Sequence, residues 1–135
     1  LGIPLNTDST LKGQTVFLAE RCGELMHDNI ITDRTVLDVM AFTMNARSIP
    51  HQDKDAFETY ASEFIREYDY IFYISPHGLE IEDNGVRETD EHYRDLIDFT
   101  ITTLIKRHGH KAGKVEKISG STEERIQQIL NITNL

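Results

Sequence analysis

Apolar residues recur at helical spacing through most of the first half of the chain, and this spacing predicts three amphipathic helices. The first spans Leu11 to His27, the second Thr35 to Asn45, and the third Asp53 to Tyr68, after Pro50 has interrupted the pattern. Between the first two helices, the short run from Asn29 to Asp33 is β-branched and ends in a carboxylate, so we expect a buried strand there. On the third helix, the residues predicted to be buried are Phe57, Tyr60, Ala61, Phe64 and Ile65.

The second half of the chain alternates short apolar runs with helical patterns. Tyr70 to Ile74 has almost no polar interruption and predicts a strand that is buried on both faces. Asp90 to His108 predicts a long helix that ends at Gly109, and Lys114 to Ser119 predicts a weaker strand. The helix-start residues Ser121 to Glu124 then open a last helix. Strands separated by helices are typical of an α/β fold with a parallel sheet and helices on both faces, and we predict that class.

Length, charge and cysteine content narrow the function. A chain of 135 residues suits one domain or part of one. A net charge of −9 disfavours a nucleic-acid clamp and an anionic membrane surface as partners, and the apolar runs are too short to span a bilayer. The single cysteine, Cys22, has a place in the apolar pattern of a helix, and it excludes an internal disulfide framework and a multi-thiolate metal site. A single cysteine fits a protein in a reducing, cytoplasmic compartment.

No segment of this sequence matches the pattern of a phosphate-binding loop. In Gly109 to Val115 the glycines are one residue too close for G-x4-G-K-[ST], and Val115 replaces the hydroxyl residue. The segment also follows a predicted helix, so we interpret it as the loop that ends that helix. His108 and His110 have neither an HExxH pattern nor a cysteine partner, which favours a surface pair over a metal site.

Asp33 and Arg34 are the first candidate for chemistry, because they follow the first predicted strand. Ligands of open α/β sheets bind at that edge of the sheet. A carboxylate there can orient or deprotonate a hydroxyl, and the adjacent guanidinium can pair with a phosphate. The alternative is that Asp33 caps the next helix and Arg34 forms a surface ion pair. The spacing favours neither interpretation.

The second candidate is the segment from Glu80 to Arg87, which combines three acids, a glycine and a final arginine. A lid that closes an arginine over a transferring phosphoryl group has this composition. An acidic solvent loop is the alternative, and the segment by itself favours that alternative.

Taken in order, these segments resemble one protein family. The residues that carry the resemblance are Gln14, Glu20-Arg21, Ile30-Ile31-Thr32-Asp33-Arg34, Asp38, Tyr68 to Ile74, Asp83-Asn84-Gly85-Val86-Arg87 and Gly120 to Arg125. The chain is similar to the P-loop NTPases of the AAA-type ATPase/kinase group, which includes the ribosylnicotinamide kinase domain and small nucleoside and nucleotide kinases. The resemblance covers essentially the whole chain.

The resemblance implies an enzyme that transfers a phosphoryl group from ATP, with Mg²⁺, to a small nucleoside- or nucleotide-like acceptor. It implies that Asp33 faces the acceptor hydroxyl or the magnesium shell and that Arg34 holds the acceptor or the phosphates. It also implies that Arg87 is the arginine of a lid spanning residues 79–89. The residues that would lie against the adenine are Ser119, Gly120, Ser121 and Thr122.

The glycine-rich loop that defines the family has no counterpart in this sequence, since in the family it belongs upstream of the position of Leu1. We therefore expect residues 1–135 to be the carboxyl-terminal portion of a single kinase-like domain, with its own missing N-terminal segment as a partner. We also expect this portion to be inactive alone. Two alternatives stay open: a non-catalytic binding or regulatory module with a nucleotide-binding fold, and an ATPase switch.

Overall fold

The computed structural model describes residues 2–76 and 91–135. The helices in these ranges are α1 (Leu11–Glu24), α2 (Val36–Met44), α3 (His51–Ser62), α4 (Glu91–His108) and α5 (Thr122–Thr133). The strands are β1 (Tyr70–Ile74) and β2 (Lys114–Ile118), and short 3-10 turns cover Asn6–Asp8, Glu63–Glu67 and Gly109–Lys111. The two strands pair in parallel, with Ile71 opposite Val115 and Ile74 opposite Ile118. The predicted α/β class with a parallel sheet is therefore confirmed.

Two helices begin with reciprocal side-chain caps. At α5, Ser121 Oγ accepts the Glu124 N–H at 3.1 Å, and Glu124 Oε1 accepts the Ser121 N–H at 3.2 Å. Thr35 and Asp38 form the same kind of capping box at α2. Each box satisfies backbone N–H groups that have no partner inside the helix, so each helix starts where its sequence predicts.

Helix α2 is central to the hydrophobic core, because it packs against α1, α3 and α4. Its residues Val36, Met40 and Ala41 have no exposed surface, and Ile65 and Leu104 join them from the chain after α3 and from α4. Full burial of a valine, leucine, isoleucine or methionine side chain contributes about 1.5–3 kcal/mol. The packing of α2 against α1 also forms the cleft described below.

The predicted buried strand at residues 29–33 is wrong. The segment is bent and irregular, and the Ile31 side chain is 94% exposed. Left-handed backbone angles bracket it, with φ +56° at Asn29 and φ +77° at Arg34. In the described part of the chain the sheet consists of β1 and β2 only, so this β-branched run has no strand to pair with.

Strand β1 has the predicted bounds but not the predicted burial on both faces. Ile71 is buried, whereas Tyr70 and Ile74 are each 39% exposed. In residues 2–76 and 91–135 β1 pairs with β2 along one edge, and two strands cannot enclose each other's side chains in the way a wide sheet does.

The third predicted helix is divided in the structure. Helix α3 begins two residues before Asp53 and ends at Ser62, and a 3-10 turn continues to Glu67. Tyr60, which the pattern assigns to the buried face, is 64% exposed and packs edge-on against Phe64 instead. The buried apolar residues of this region are Phe57, Ala61 and Ile65 at four-residue spacing, so the core covers a narrower stripe than the pattern indicates.

Some further predictions differ from the structure, and others concern residues that the structure does not describe. Helix α1 ends at Glu24, three residues before the predicted His27. His108 is not a surface residue, because its side chain is 12% exposed and contacts Glu58. Arg87 and the predicted lid at 79–89 lie outside the described residues. None of the helices within residues 2–76 and 91–135 has the length and apolar character needed to cross a membrane.

Candidate functional site

A cleft of about 500 Å³ lies between α1, α2 and the segments that precede these two helices. Its polar lining consists of Asn6, Ser9, Gln14, Glu20, Arg21, Asp33, Arg34, Thr35 and Asp38. Its apolar lining consists of Leu5, Phe17, Val39 and Phe42. Helical periodicity explains part of this set, since Gln14, Phe17 and Arg21 share one face of α1. The cleft therefore combines charged groups with an apolar wall that contains two aromatic rings.

The backbone at Asp33 and Arg34 is held in an unusual conformation. Arg34 has φ +77°, which is in the left-handed region and costs a residue with a side chain about 1–2 kcal/mol. Arg21 Nη1 donates a hydrogen bond to the Asp33 carbonyl oxygen at 2.9 Å. Thr32 Oγ1 donates to the Arg34 carbonyl oxygen at 2.9 Å. Side chains thus fix two successive carbonyl groups of this loop.

The guanidinium of Arg34 contacts an aromatic ring of the cleft. Its Cζ atom lies 5.8 Å from the centroid of the Phe42 ring, within cation–π range. Phe42 is half-buried, and its ring also lies 6.2 Å from that of Tyr93 on α4. Arg34 itself is exposed, so its charge lies at the cleft surface. Its guanidinium lies over the Phe42 ring of α2.

The carboxylate of Asp33 is not a helix cap. Thr35 is the N-cap residue of α2, and its Oγ1 accepts the Leu37 N–H at 3.1 Å. Within the described residues, no ion pair or hydrogen bond involves the Asp33 carboxylate. Asp33 is an exposed residue that lines the cleft. The structure thereby excludes the cap interpretation of Asp33 that the sequence left open.

Asp38 has a structural task. Its Oδ2 accepts the Thr35 N–H at 2.8 Å and completes the capping box of α2. Burial raises the pKa of the Asp38 carboxyl above its ordinary 3.8, although the bond from Thr35 and the charges of Arg34 and Arg21 oppose this effect. Asp38 therefore fixes the start of α2, next to the free carboxylate of Asp33.

Arg21 of the cleft lining also belongs to a second polar cluster, whose other members are not lining residues. Arg21 Nη2 lies 2.9 Å from Glu24 Oε1, while in the described part of the chain Glu24 Oε2 is buried without a hydrogen-bond partner. The Tyr68 hydroxyl accepts the Val36 N–H at 3.2 Å. Burial raises the pKa of Tyr68 to about 12, so this hydroxyl stays protonated at neutral pH.

The loop from Ser119 to Thr122 lies outside the cleft lining, and its polar groups are already used. The Ser119 N–H donates to Gln128 Oε1 at 3.1 Å, and Gln128 Nε2 donates to the Ser119 carbonyl oxygen at 2.6 Å. Gly120 has φ +96°, Ser121 caps α5, and Thr122 Oγ1 accepts from Arg125 Nη2 at 3.0 Å. A ligand that hydrogen-bonds the Ser119 peptide would first have to displace the Gln128 amide.

The donor set for magnesium is small. No group of three or more His, Cys, Asp or Glu side chains suited to a metal ion occurs in residues 2–76 and 91–135. Asp33 fits Mg²⁺ as a single carboxylate ligand, because Mg²⁺ bound with nucleotides takes one or two carboxylates and completes its shell with phosphates and water.

Asp33 and Arg34, which the sequence singled out, both line the cleft, and the sequence analysis did not single out the contacts that Arg21 and Phe42 make with them. Arg21 shares a helix face with Gln14, and this spacing is the signal that could have found it. Phe42 lies one turn after Asp38 on α2, but its contact with Arg34 depends on the left-handed turn, which no local pattern predicts.

Comparisons with protein-family models, curated proteins and solved structures gave no match to this chain. The α/β class and the cleft are therefore established from the chain's own structure.

Proposed function

We propose that the chain is the acceptor-binding part of a cytoplasmic, ATP-dependent phosphotransferase with a P-loop kinase-type fold, in which helices flank both faces of the parallel sheet. Its substrate is a nucleoside- or nucleotide-like molecule with a free hydroxyl group. The observation that carries the proposal is the placement of Asp33 and Arg34, with a free carboxylate beside a ring-supported guanidinium, in one cleft with an aromatic wall.

Each part of the cleft matches a part of such a substrate. Asp33 accepts a hydrogen bond from the acceptor hydroxyl and supplies one oxygen to Mg²⁺ when the metal is bound with ATP. Arg34 pairs with phosphate oxygens, for which a planar guanidinium is well shaped. Phe17 and Phe42 offer flat apolar surface to a planar base.

The ATP side of the proposal rests on the resemblance. It assigns the adenine to the loop from Ser119 to Thr122 and the transferring phosphoryl group to Arg87. The pairing of the Ser119 peptide with Gln128 instead favours a second candidate, a binding or regulatory module that recognises the nucleoside-like ligand without using ATP.

Titration of the chain with adenosine, guanosine, cytidine and uridine, followed by amide NMR shifts, tests acceptor binding without requiring ATP. We expect at least one nucleoside to shift resonances of residues 14–21 and 33–42. Asp33→Asn should weaken that binding about tenfold, the size of one lost charge-assisted hydrogen bond, and Arg34→Gln should weaken binding of the corresponding nucleoside 5′-monophosphate by a similar factor. Asp55→Asn, an exposed acid on α3, is the matched control and should bind normally.

A chain that binds none of the four nucleosides contradicts the proposal. If a nucleoside binds, addition of Mg-ATP separates the two candidates. Phosphorylated nucleoside, detected by mass spectrometry with the chain joined to a phosphate-loop segment of its own protein, supports the kinase. Nucleoside binding without product under those conditions supports the binding module.

A further inference from the structure

Arg21 lies behind the Asp33–Arg34 pair and connects two parts of the fold. Its side chain is 20% exposed, although it carries a full charge. One terminal nitrogen donates to the Asp33 carbonyl oxygen at 2.9 Å, and the other lies 2.9 Å from Glu24 Oε1. A single guanidinium therefore joins the last turns of α1 to the loop that leads into α2, and the fork geometry of arginine suits two such bonds at once.

The loop requires such a connection because its conformation is unfavourable by itself. A left-handed Arg34 persists only where surrounding contacts determine the backbone more strongly than its own preference does. The Arg21 bond fixes the carbonyl of Asp33 on one side of Arg34, and the Thr32 hydroxyl fixes the carbonyl of Arg34 itself. Of these two bonds, only that from Arg21 comes from another element of the fold.

We infer that Arg21 is a positioning residue of the cleft: it holds the Asp33 carbonyl so that Arg34 keeps its left-handed turn and its guanidinium lies on the Phe42 ring. The conformational effect is independent of any ligand. Its effect on binding rests on the proposed function.

The NMR signal of the Arg34 Nε–H group reports this arrangement directly, because a proton over an aromatic ring experiences that ring's magnetic field. The signal is assigned by its loss in Arg34→Lys. Phe42→Leu defines its position without the ring. We expect Arg21→Gln to move the signal most of the way to the Phe42→Leu position, and Arg21→Lys to move it part of the way, since an ammonium lacks the fork.

Arg66→Gln is the matched control, because Arg66 forms an exposed pair with Glu63 in the turn after α3. It should leave the Arg34 signal unchanged. An Arg34 signal that keeps its wild-type position in both Arg21 variants overturns the inference. If Arg21→Gln does not fold, the partial shift expected for Arg21→Lys decides alone.

Nucleoside titration of the same variants separates this inference from the proposed function. With the 5′-monophosphate of a nucleoside that binds the unmodified chain, Arg21→Gln should weaken affinity about five- to tenfold, in parallel with the signal shift. If the Arg34 signal shifts while no nucleoside binds any variant or the unmodified chain, the positioning role stands and the proposed function fails. If affinity falls without a signal shift, the positioning role is wrong.

Discussion

The guanidinium of Arg34 is supported by the ring of Phe42, with 5.8 Å between Cζ and the ring centroid. The two residues belong to different local structures, a left-handed turn and the last turns of α2. Their contact places the exposed guanidinium against an aromatic ring of the cleft. This geometry makes the aromatic ring part of the proposed binding surface and yields a direct prediction.

Phe42→Leu should reduce nucleoside affinity about three- to fivefold, because leucine removes the flat ring surface proposed to face the base, and aromatic stacking contributes about 0.5–1.5 kcal/mol beyond buried area. The leucine keeps apolar volume, so the free energy of unfolding should fall by less than about 1.5 kcal/mol. Calorimetric titration measures the affinity. Phe64→Leu is the control, because its ring packs on Tyr60 away from the cleft. Equal affinities of the two variants would make Phe42 a packing residue only.

Thr35→Ala should destabilise the protein by about 1 kcal/mol, the typical loss for an N-cap hydroxyl. Thr35 Oγ1 accepts the Leu37 N–H, and alanine leaves that donor without its partner. Urea unfolding at pH 7 measures the difference. Thr15→Ala serves as the comparison, since the Thr15 hydroxyl bonds only the Leu11 carbonyl within α1 and its loss should change stability by less than about 0.5 kcal/mol.

Asp38→Asn should gain stability relative to the unmodified protein as the pH rises from 4 to 7. Burial raises the folded-state pKa of the Asp38 carboxyl above 3.8, so the folded protein holds this proton more tightly than the unfolded chain does. The native carboxyl group therefore loses stabilising effect as the pH rises through that interval. Asparagine can accept the same Thr35 N–H and does not titrate. Urea unfolding at several pH values checks the trend, and a constant difference between the two proteins would contradict it.

Glu58→Gln should destabilise the protein by about 1 kcal/mol at pH 7, since charge-assisted bonds to Arg107 at 2.8 Å and His108 at 2.7 Å are weakened. Burial alone would raise the pKa of the Glu58 carboxyl, but hydrogen bonds from Arg107 and His108 outweigh it and lower the pKa below 4.5. The stabilisation is therefore present above pH 4.5 and is lost as the pH falls through the folded-state pKa.

Unfolding of this variant and of the unmodified protein between pH 3 and 7 measures the effect, with Glu67→Gln, an exposed acid in the turn after α3, as control. The difference in unfolding free energy from the unmodified protein should shrink as the pH falls for Glu58→Gln and stay constant for Glu67→Gln. A gap that persists at the lowest pH would assign the loss to packing instead of charge.

Gly113→Ala should lower the free energy of unfolding by about 1–3 kcal/mol, because a Cβ there would collide with the backbone oxygen of Asp69. The Gly113 N–H also donates to the Tyr68 carbonyl oxygen at 3.0 Å, so the segments before β1 and β2 approach closely. Gly23→Ala, in open space on α1, should instead stabilise by about 0.5–1 kcal/mol. Thermal unfolding of both variants tests the pair, and an equal shift in both would refute the close-approach argument.

Local sequence determined the elements whose signals lie within a few residues. Thr35 with Asp38, and Ser121 with Glu124, place helix starts through bonds between neighbours in the chain, and the structure has both capping boxes. The bounds of β1 follow from an uninterrupted apolar run. The α/β class follows from the order of these elements.

Tertiary structure decided where a pattern needed a distant partner. Ile30 and Ile31 have β-branched side chains, yet they form no strand, because a ladder needs a second strand to pair with its N–H and C=O groups. Asp33 and Arg34 could be singled out from the sequence as candidates. Their actual environment could not, because the bond from Arg21 and the ring of Phe42 come together only when α1 packs against α2. Local bonds are encoded in spacing, whereas contacts between elements depend on how the whole chain packs.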